Sequence, residues 1–370
     1  MWWTLLVAAH ATPLLDAPAI GPALHPTVVI QADDLPPSPP PGDATYGAVD
    51  FGDVVVVRPQ GSALELGFSY GPLYDSMLAA LEGRSTEYDF VLALNTSRLP
   101  TQFTGAAAFY LGYNNDDHQG TGTSPHISPT VPTKAVLWMN TVDAWDSSPE
   151  YSAWVFGQEL GHHWLAFPWV DFDDGEGEQS VLLGRDNSHW SYWLDTPNSP
   201  SEGNRWIDNG DGTFTTDLDS PAAFSDLDLY LMGLIAAEDV SPWFYIEPDA
   251  GSGRADSSPP EWLYGNQPVT VSGTRVDVTL DDVIAFEGDR LPTPATSQKD
   301  FRILTMLVLT ESEVLNEEIM TGVGARQTEW ANAWSQLTAG LSTVSFSVVD
   351  EGRSAPPLPD TVALVPRGAW

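Results

Sequence analysis

The chain has 370 residues, 42% hydrophobic and 11% aromatic, enough apolar surface to bury a sizeable core, which excludes a disordered polyanion. Its 51 acidic against 14 basic residues give a formal charge of −37, which repels phosphate backbones and anionic membrane surfaces and excludes nucleic acid as an expected partner. Cysteine is absent, so no disulfide framework exists, and lysine is confined to Lys134 and Lys299; the acid excess reads as a salt-tolerant surface, with Ca²⁺ chelation as the lesser alternative.

Met1 to Ala11 is a short apolar run closing on Ala9-His10-Ala11, the small-x-small pattern of a signal-peptide cleavage site without its positive n-region. It predicts a secreted, periplasmic or extracellular protein. Residues 12–44 form a proline-rich extended segment, densest at 32–44, and a second proline-rich tail is expected at 351–370. The folded domain is expected over 45–350, with subdomains at about 45–164 and 165–350. No stretch reaches the roughly 18 apolar residues of a membrane helix, so no membrane insertion is expected.

Strands are predicted at 53–57, 63–70 and 88–94, and a helix at 72–82 with Leu73, Met77, Leu78 and Leu81 on its apolar face. The alternation indicates an α/β (α+β) fold. Strands at 106–113 and 134–141 flank a loop at 114–133 rich in Gly, Ser, Thr, Asn and Pro, expected on the surface with His118 and His126 as ordinary surface histidines.

Residues 165–224 show turn chemistry and little periodicity, apart from 206–216, where strand-like flanks around Asn209-Gly210-Asp211-Gly212 predict a hairpin. A helix is expected at about 226–235, a fully buried strand at 301–310, and helical stretches within 311–337 broken near Gly322 and Gly324. The C-terminal half therefore reads as helical and loop-rich.

Residues 151–164, Tyr-Ser-Ala-Trp-Val-Phe-Gly-Gln-Glu-Leu-Gly-His-His-Trp, carry the chemistry, on a helix expected at about 149–164. In His-Glu-x-x-His the two histidines stand at i and i+4, so both imidazoles face one Zn²⁺ while the glutamate between them handles the proton of the attacking water. Here the frame is Gln158-Glu159-Leu160-Gly161-His162: the spacing and the base position are kept, and glutamine replaces the first ligand. Gly161 leaves room for a close neighbour. His163 is turned about 100° from His162 around the helix, which points it toward packing or a supporting hydrogen bond.

Further segments extend the pattern: Glu159-Leu-Gly-His-His-Trp164, Leu183-Gly-Arg-Asp-Asn-Ser-His-Trp190 with Ser-Tyr-Trp-Leu-Asp195, Glu202-Gly-Asn-Arg-Trp206, Asp208-Asn-Gly-Asp-Gly-Thr-Phe214 and Phe224-Ser-Asp-Leu-Asp-Leu-Tyr-Leu-Met-Gly233. Together they resemble a family of secreted zincin-like metallopeptidases from myxobacteria and their relatives, over roughly residues 85–345 and most specifically 154–235. The family's helix reads His-Glu-Leu-Gly-His-His/Arg-Trp, so Gln158 is the departure. The resemblance implies a zincin-like fold with a mixed twisted sheet, bound Zn²⁺ and a polypeptide substrate.

Carried onto this chain, the resemblance makes Glu159 the general base, His162 a zinc ligand and His189 of the His-Trp element the third ligand. Asp228 is the alternative third ligand, set against a capping box formed with Ser225. Tyr230 is a candidate oxyanion-side donor, set against a plain core position. Gln158 offers an amide oxygen, a harder and weaker donor for zinc than imidazole nitrogen. Two functions stay open: hydrolysis of peptide bonds by metal-activated water, or a catalytically impaired relative that uses its cleft and 15 Trp as a binding or scaffold protein. The acidic run Asp171 to Glu178 and the turn at 208–212 miss the liganding spacing of a calcium loop.

Overall fold

The computed structural model describes residues 47–51, 54–58, 88–96, 108–115, 118–123, 125–128, 131, 133–172, 175–249, 268–309 and 314–346. The expected leader at 1–11, extended segment at 12–44, strand at 63–70, helix at 72–82 and tail at 351–370 lie outside these residues. In chain order the first elements are β1 (Gly47–Phe51), β2 (Val54–Arg58), β3 (Phe90–Asn95), β4 (Phe109–Gly112), β5 (Ala135–Thr141) and α1 (Pro149–Gly161). β6 (Trp190–Asp195), β7 (Glu202–Asn204), β8 (Trp206–Asp208), β9 (Thr213–Thr216), α2 (Asp226–Leu231), β10 (Trp243–Pro248) and β11 (Thr270–Val278) follow. The last are α3 (Leu280–Glu287), β12 (Asp300–Val308), α4 (Glu317–Leu337) and β13 (Thr343–Ser345).

The first sheet is mixed, in the order β1-β2-β12-β3-β5-β4, with β13 also paired to β12. β2, β12, β3 and β5 run parallel, and their apolar runs, such as Phe90 to Leu94 and Ile303 to Val308, are buried as parallel strands covered on both faces require. β4 closes one edge antiparallel to β5, with Tyr110 opposite Leu137. The mixed α+β architecture expected from the sequence is thus present.

One expectation is corrected. The C-terminal half is not merely helical and loop-rich: β7-β6-β10-β11-β9-β8 form a second sheet, of which only the β8–β9 hairpin was expected. Residues on both sides of the expected division near 164/165 share one sheet and one core. β12, β13 and α4 return to the first sheet, and one apolar core joins Phe90, Phe156, Trp190, Tyr230, Ile303 and Trp334.

α4 covers α1. Phe156 stacks on Trp330 at 5.4 Å between centroids, and the Trp330 indole donates to Ser152 Oγ at 2.8 Å. α4 runs unbroken through Gly322 and Gly324, against the expected breaks. The reason at Gly322 is space: a Cβ there would stand 2.7 Å from Val142 Cγ1, so the small residue brings the helix close to the turn before α1. α1 itself starts with Pro149 in its first turn, where a missing N–H costs nothing, and stops at Gly161 rather than 164. Trp164 and Leu165 both donate their backbone N–H to Gly161 O at 2.9 Å, which turns the chain sharply after His162.

Candidate functional site

α1 follows β5 after one short turn, so Gln158 and Glu159 sit buried in its last turn and His162, half-buried, caps its C-terminal end. The helix lies close against its surroundings at Gly157, where a Cβ would meet Leu337 Cδ1 at 2.5 Å and Pro200 Cγ at 3.2 Å. At Gly161, where the close neighbour was expected, the same construction gives ordinary contacts of 3.4 Å to Leu165 and Phe224.

His189 arrives from a tight loop. Leu183 bridges Trp190, Gly184 N donates to His189 O at 2.6 Å, and Asp186 and Asn187 take left-handed backbone between them. The loop brings His189 onto His162, the two rings meeting edge to face at 4.7 Å between centroids. His189 Nδ1 lies 3.2 Å from both Arg185 O and Ser188 Oγ. A backbone carbonyl accepts only, so Nδ1 carries the proton and Nε2 keeps its lone pair, the tautomer a metal ligand needs. Burial lowers the His162 pKa to about 4 against a hydrogen bond to the Leu165 backbone that raises it. Burial first, and then His162 itself, lowers that of His189 to about 3. Both imidazoles are therefore neutral at pH 7.

Glu159 goes the other way: burial raises its pKa to about 8, with Arg185 opposing. The carboxyl therefore titrates close to neutral pH, the range in which a general base or acid works best.

Two site residues were missed by sequence reasoning. Glu202 opens β7, where the parallel pairing of β7 with β6 sets it opposite Trp190 and therefore beside His189, whose Nε2 lies 3.9 Å from Glu202 Oε1. Arg185 clamps that same oxygen with Nη2 at 2.6 Å and Nε at 2.7 Å. Gln158 hydrogen-bonds the Glu202 carboxylate as well, yet Oε2 is buried with no hydrogen-bond partner. Burial raises the Glu202 pKa to about 7 despite Arg185. The only sequence signal was the presence of both residues in the segments that carry the family resemblance.

The other expected residues fall outside this cluster. Asp228 is not offered to it: Oδ1 accepts from Trp190 Nε1 at 2.7 Å, and Oδ2 accepts from Ser225 N at 2.7 Å and Ser225 Oγ at 2.9 Å, a complete capping box on α2. Tyr230 accepts the Arg290 backbone N–H at 3.0 Å and packs in the core. His163 turns to the opposite side, as the helix geometry predicts, with Nδ1 2.9 Å from the Tyr110 hydroxyl on β4 and its ring edge-on to Phe90.

His118 corrects a further expectation. It is buried rather than on the surface, its ring 4.3 Å from that of His163. The loop folds inward because Gly122 passes so close to Phe167 that a Cβ would lie 2.3 Å from its carbonyl carbon. His126 is exposed, as expected. In the turn at 208–212 Asp208 accepts from Gly210 N and from Arg275, and Asp211 accepts from Thr213.

As a donor set, two neutral imidazoles, an amide and a carboxylate oxygen without a partner fit a borderline-soft dication such as Zn²⁺. Among the described residues, however, no three His, Cys, Asp or Glu side chains converge into a ready-made cage, and Arg185 holds Glu202. Among the same residues no helix is long and apolar enough to cross a membrane. Comparison with known proteins returns no matching family model, curated protein or solved structure.

Proposed function

We propose that this chain is a secreted zincin-like metallopeptidase homologue, in which His162 and His189, helped by the Gln158 carboxamide, hold Zn²⁺ and Glu159 is the general base. The observation that carries the reading is the meeting of half-buried His162, at the end of the helix that bears Glu159, with buried His189, 27 residues further along the chain. Zn²⁺, when bound, supplies a Lewis acid that eases ionisation of a water molecule. Glu159 takes the proton of the water that attacks the peptide carbonyl and returns it to the departing amine. The Arg185 carbonyl fixes the ring of His189 for its part, and the Tyr110–His163 hydrogen bond ties the edge strand to the end of α1. The polypeptide substrate follows from the family resemblance.

A second reading is favoured by a specific observation, the replacement of imidazole by Gln158 beside a carboxylate already neutralised by Arg185. On that reading the chain is a catalytically impaired relative acting as a binding or scaffold protein.

Metal content after purification with and without added Zn²⁺, together with casein hydrolysis by wild type, Glu159→Gln and Gln158→His, separates the two. Stoichiometric zinc in the wild type with hydrolysis abolished by Glu159→Gln supports the enzyme. A metal-free, inert wild type whose Gln158→His variant gains zinc and hydrolysis establishes the impaired relative.

A further inference from the structure

Resting on the reading of this site as a metal centre, we propose that Glu202 is its anionic ligand and that Arg185 occupies Glu202 as a displaceable internal cation. Metal binds only as the guanidinium swings out.

Glu202 has the properties of a ligand held in place. Its side chain is 2% exposed, Oε2 has no hydrogen-bond partner, and Oε1 lies 3.9 Å from His189 Nε2. Its backbone is left-handed at φ 77°, a conformation that a long side chain avoids unless the surroundings impose it. Such strain is retained where the side chain has to be delivered to one spot. Asp228, the other carboxylate considered, has both oxygens engaged.

Arg185 differs in just the respects that make it removable. Its side chain is 44% exposed, and Nη1 already lies 3.6 Å from Asp186 Oδ2, on a carboxylate that is 76% exposed. Rotation of the guanidinium outward exchanges a buried partner for a solvated one within the same loop. The carboxylate it leaves cannot remain charged and alone in a buried site, so departure requires another cation in its place. A dication between His162, His189 and Glu202 meets that requirement. With Arg185 present, the same dication meets a like charge and finds its one anionic donor taken.

Gln158 fits this exchange. A carboxylate only accepts hydrogen bonds, so the Gln158 amide N–H₂ donates to Glu202 in the metal-free state. An imidazole with its lone pair directed at the metal would give Glu202 no such donor. The glutamine that weakens the metal site therefore steadies the Arg185-bound form.

The test is a Co²⁺ titration of the full chain followed by visible absorption, with Zn²⁺ calorimetry alongside, on wild type, Arg185→Gln, Glu202→Gln and the double variant. Arg185→Gln is expected to tighten binding tenfold or more, Glu202→Gln to weaken it tenfold or more, and the double variant to show none of the gain. Phenylglyoxal labelling of wild-type Arg185, read by mass spectrometry, is expected to speed up at saturating Zn²⁺, and it serves if Arg185→Gln does not fold. If Arg185→Gln binds no better than wild type while His162→Ala and His189→Ala abolish binding, the proposal falls and the metal-site reading stands. A gain that survives in the double variant, or labelling indifferent to Zn²⁺, also overturns it. Absence of binding in both wild type and Arg185→Gln overturns the proposal and the metal-site reading together.

Discussion

The Trp190 indole donates to Asp228 Oδ1 at 2.7 Å, joining the start of β6 to the first turn of α2. Because Trp190 follows His189 directly, this bond fixes the root of the histidine that meets His162. Asp228 is fully buried, and its other partners are Ser225 and Ser199. It shapes the site through its neighbours rather than by touching a ligand.

Asp228→Ala is therefore expected to leave the Trp190 N–H and the Ser225 N–H without acceptors, at a cost of about 2–4 kcal/mol. Denaturant unfolding measures this loss. Asp228→Asn keeps an acceptor for Trp190 and should lose less, about 1–2 kcal/mol. If Asp228 were a ligand, Co²⁺ affinity in the Asn variant would drop by an order of magnitude or more; the geometry predicts a change of less than about threefold, roughly 0.6 kcal/mol.

Two glycines of α1 are expected to respond in opposite ways. Gly157→Ala gains helix propensity but drives a methyl into Leu337 and the rigid ring of Pro200, so a net loss of about 1–2 kcal/mol is expected. Gly161→Ala meets only contacts of 3.4 Å and should be neutral or stabilising by up to about 1 kcal/mol. Thermal melts of the two variants side by side decide it. A destabilised Gly161→Ala beside a tolerated Gly157→Ala would reverse the packing described for the helix.

The parts of the fold that were legible in the sequence are those whose signal is local. Parallel strands buried on both faces leave continuous apolar runs, which is why β3 and β12 stand out as Phe90 to Leu94 and Phe301 to Val308. Gln158, Glu159 and His162 are legible because helix spacing alone puts them on one side. Ser225 and Asp228 show the same logic: their spacing announced the capping box that now removes Asp228 from the ligand set. β10 and β11 were not legible, since Trp243 to Pro248 and Thr270 to Val278 mix polar and apolar positions and owe their strand form to each other. Glu202 and Arg185 depend on a short, irregular parallel pairing of β6 with β7 and on a left-handed residue that is not glycine, neither of which leaves a periodic trace. His118 was misplaced because the composition of its loop suits the surface, whereas the close pass of Gly122 against Phe167 carries it inward.

Tyr110→Phe tests the link between the edge strand and the helix. The substitution removes the hydroxyl that lies 2.9 Å from His163 Nδ1 and leaves that buried nitrogen without its partner, at an expected cost of about 1–2 kcal/mol. Amide hydrogen exchange should quicken in β4 more than in β3, since among the described residues β4 has a hydrogen-bonded neighbour on one side only. Uniform quickening across both strands would mean that the hydroxyl supports global stability and not the edge.

Glu159→Gln should change the pH dependence of stability in a direction fixed by the sign of the shift. Burial raises the Glu159 pKa from 4.5 to about 8, so the folded protein holds a proton that the unfolded chain releases between those values. The stability tied to this proton is fully present below pH 4.5 and is lost as pH rises through about 8. Glutamine mimics the protonated carboxyl and has nothing to lose. The gap in unfolding free energy between Glu159→Gln and wild type should thus widen with pH from about 5 to 8, at up to about 1.4 kcal/mol per unit, and level off beyond. Glu202, raised to about 7, adds a similar slope in both proteins and cancels in the difference. The two histidines act in the opposite sense: the stability tied to neutral His162 and His189 is lost as pH falls below 6.5 toward 4 and 3, again in both proteins. Urea unfolding of the pair from pH 5 to 9 reads the difference directly. A gap that stays constant across that range would show that Glu159 ionises in the folded protein as it does in the unfolded chain.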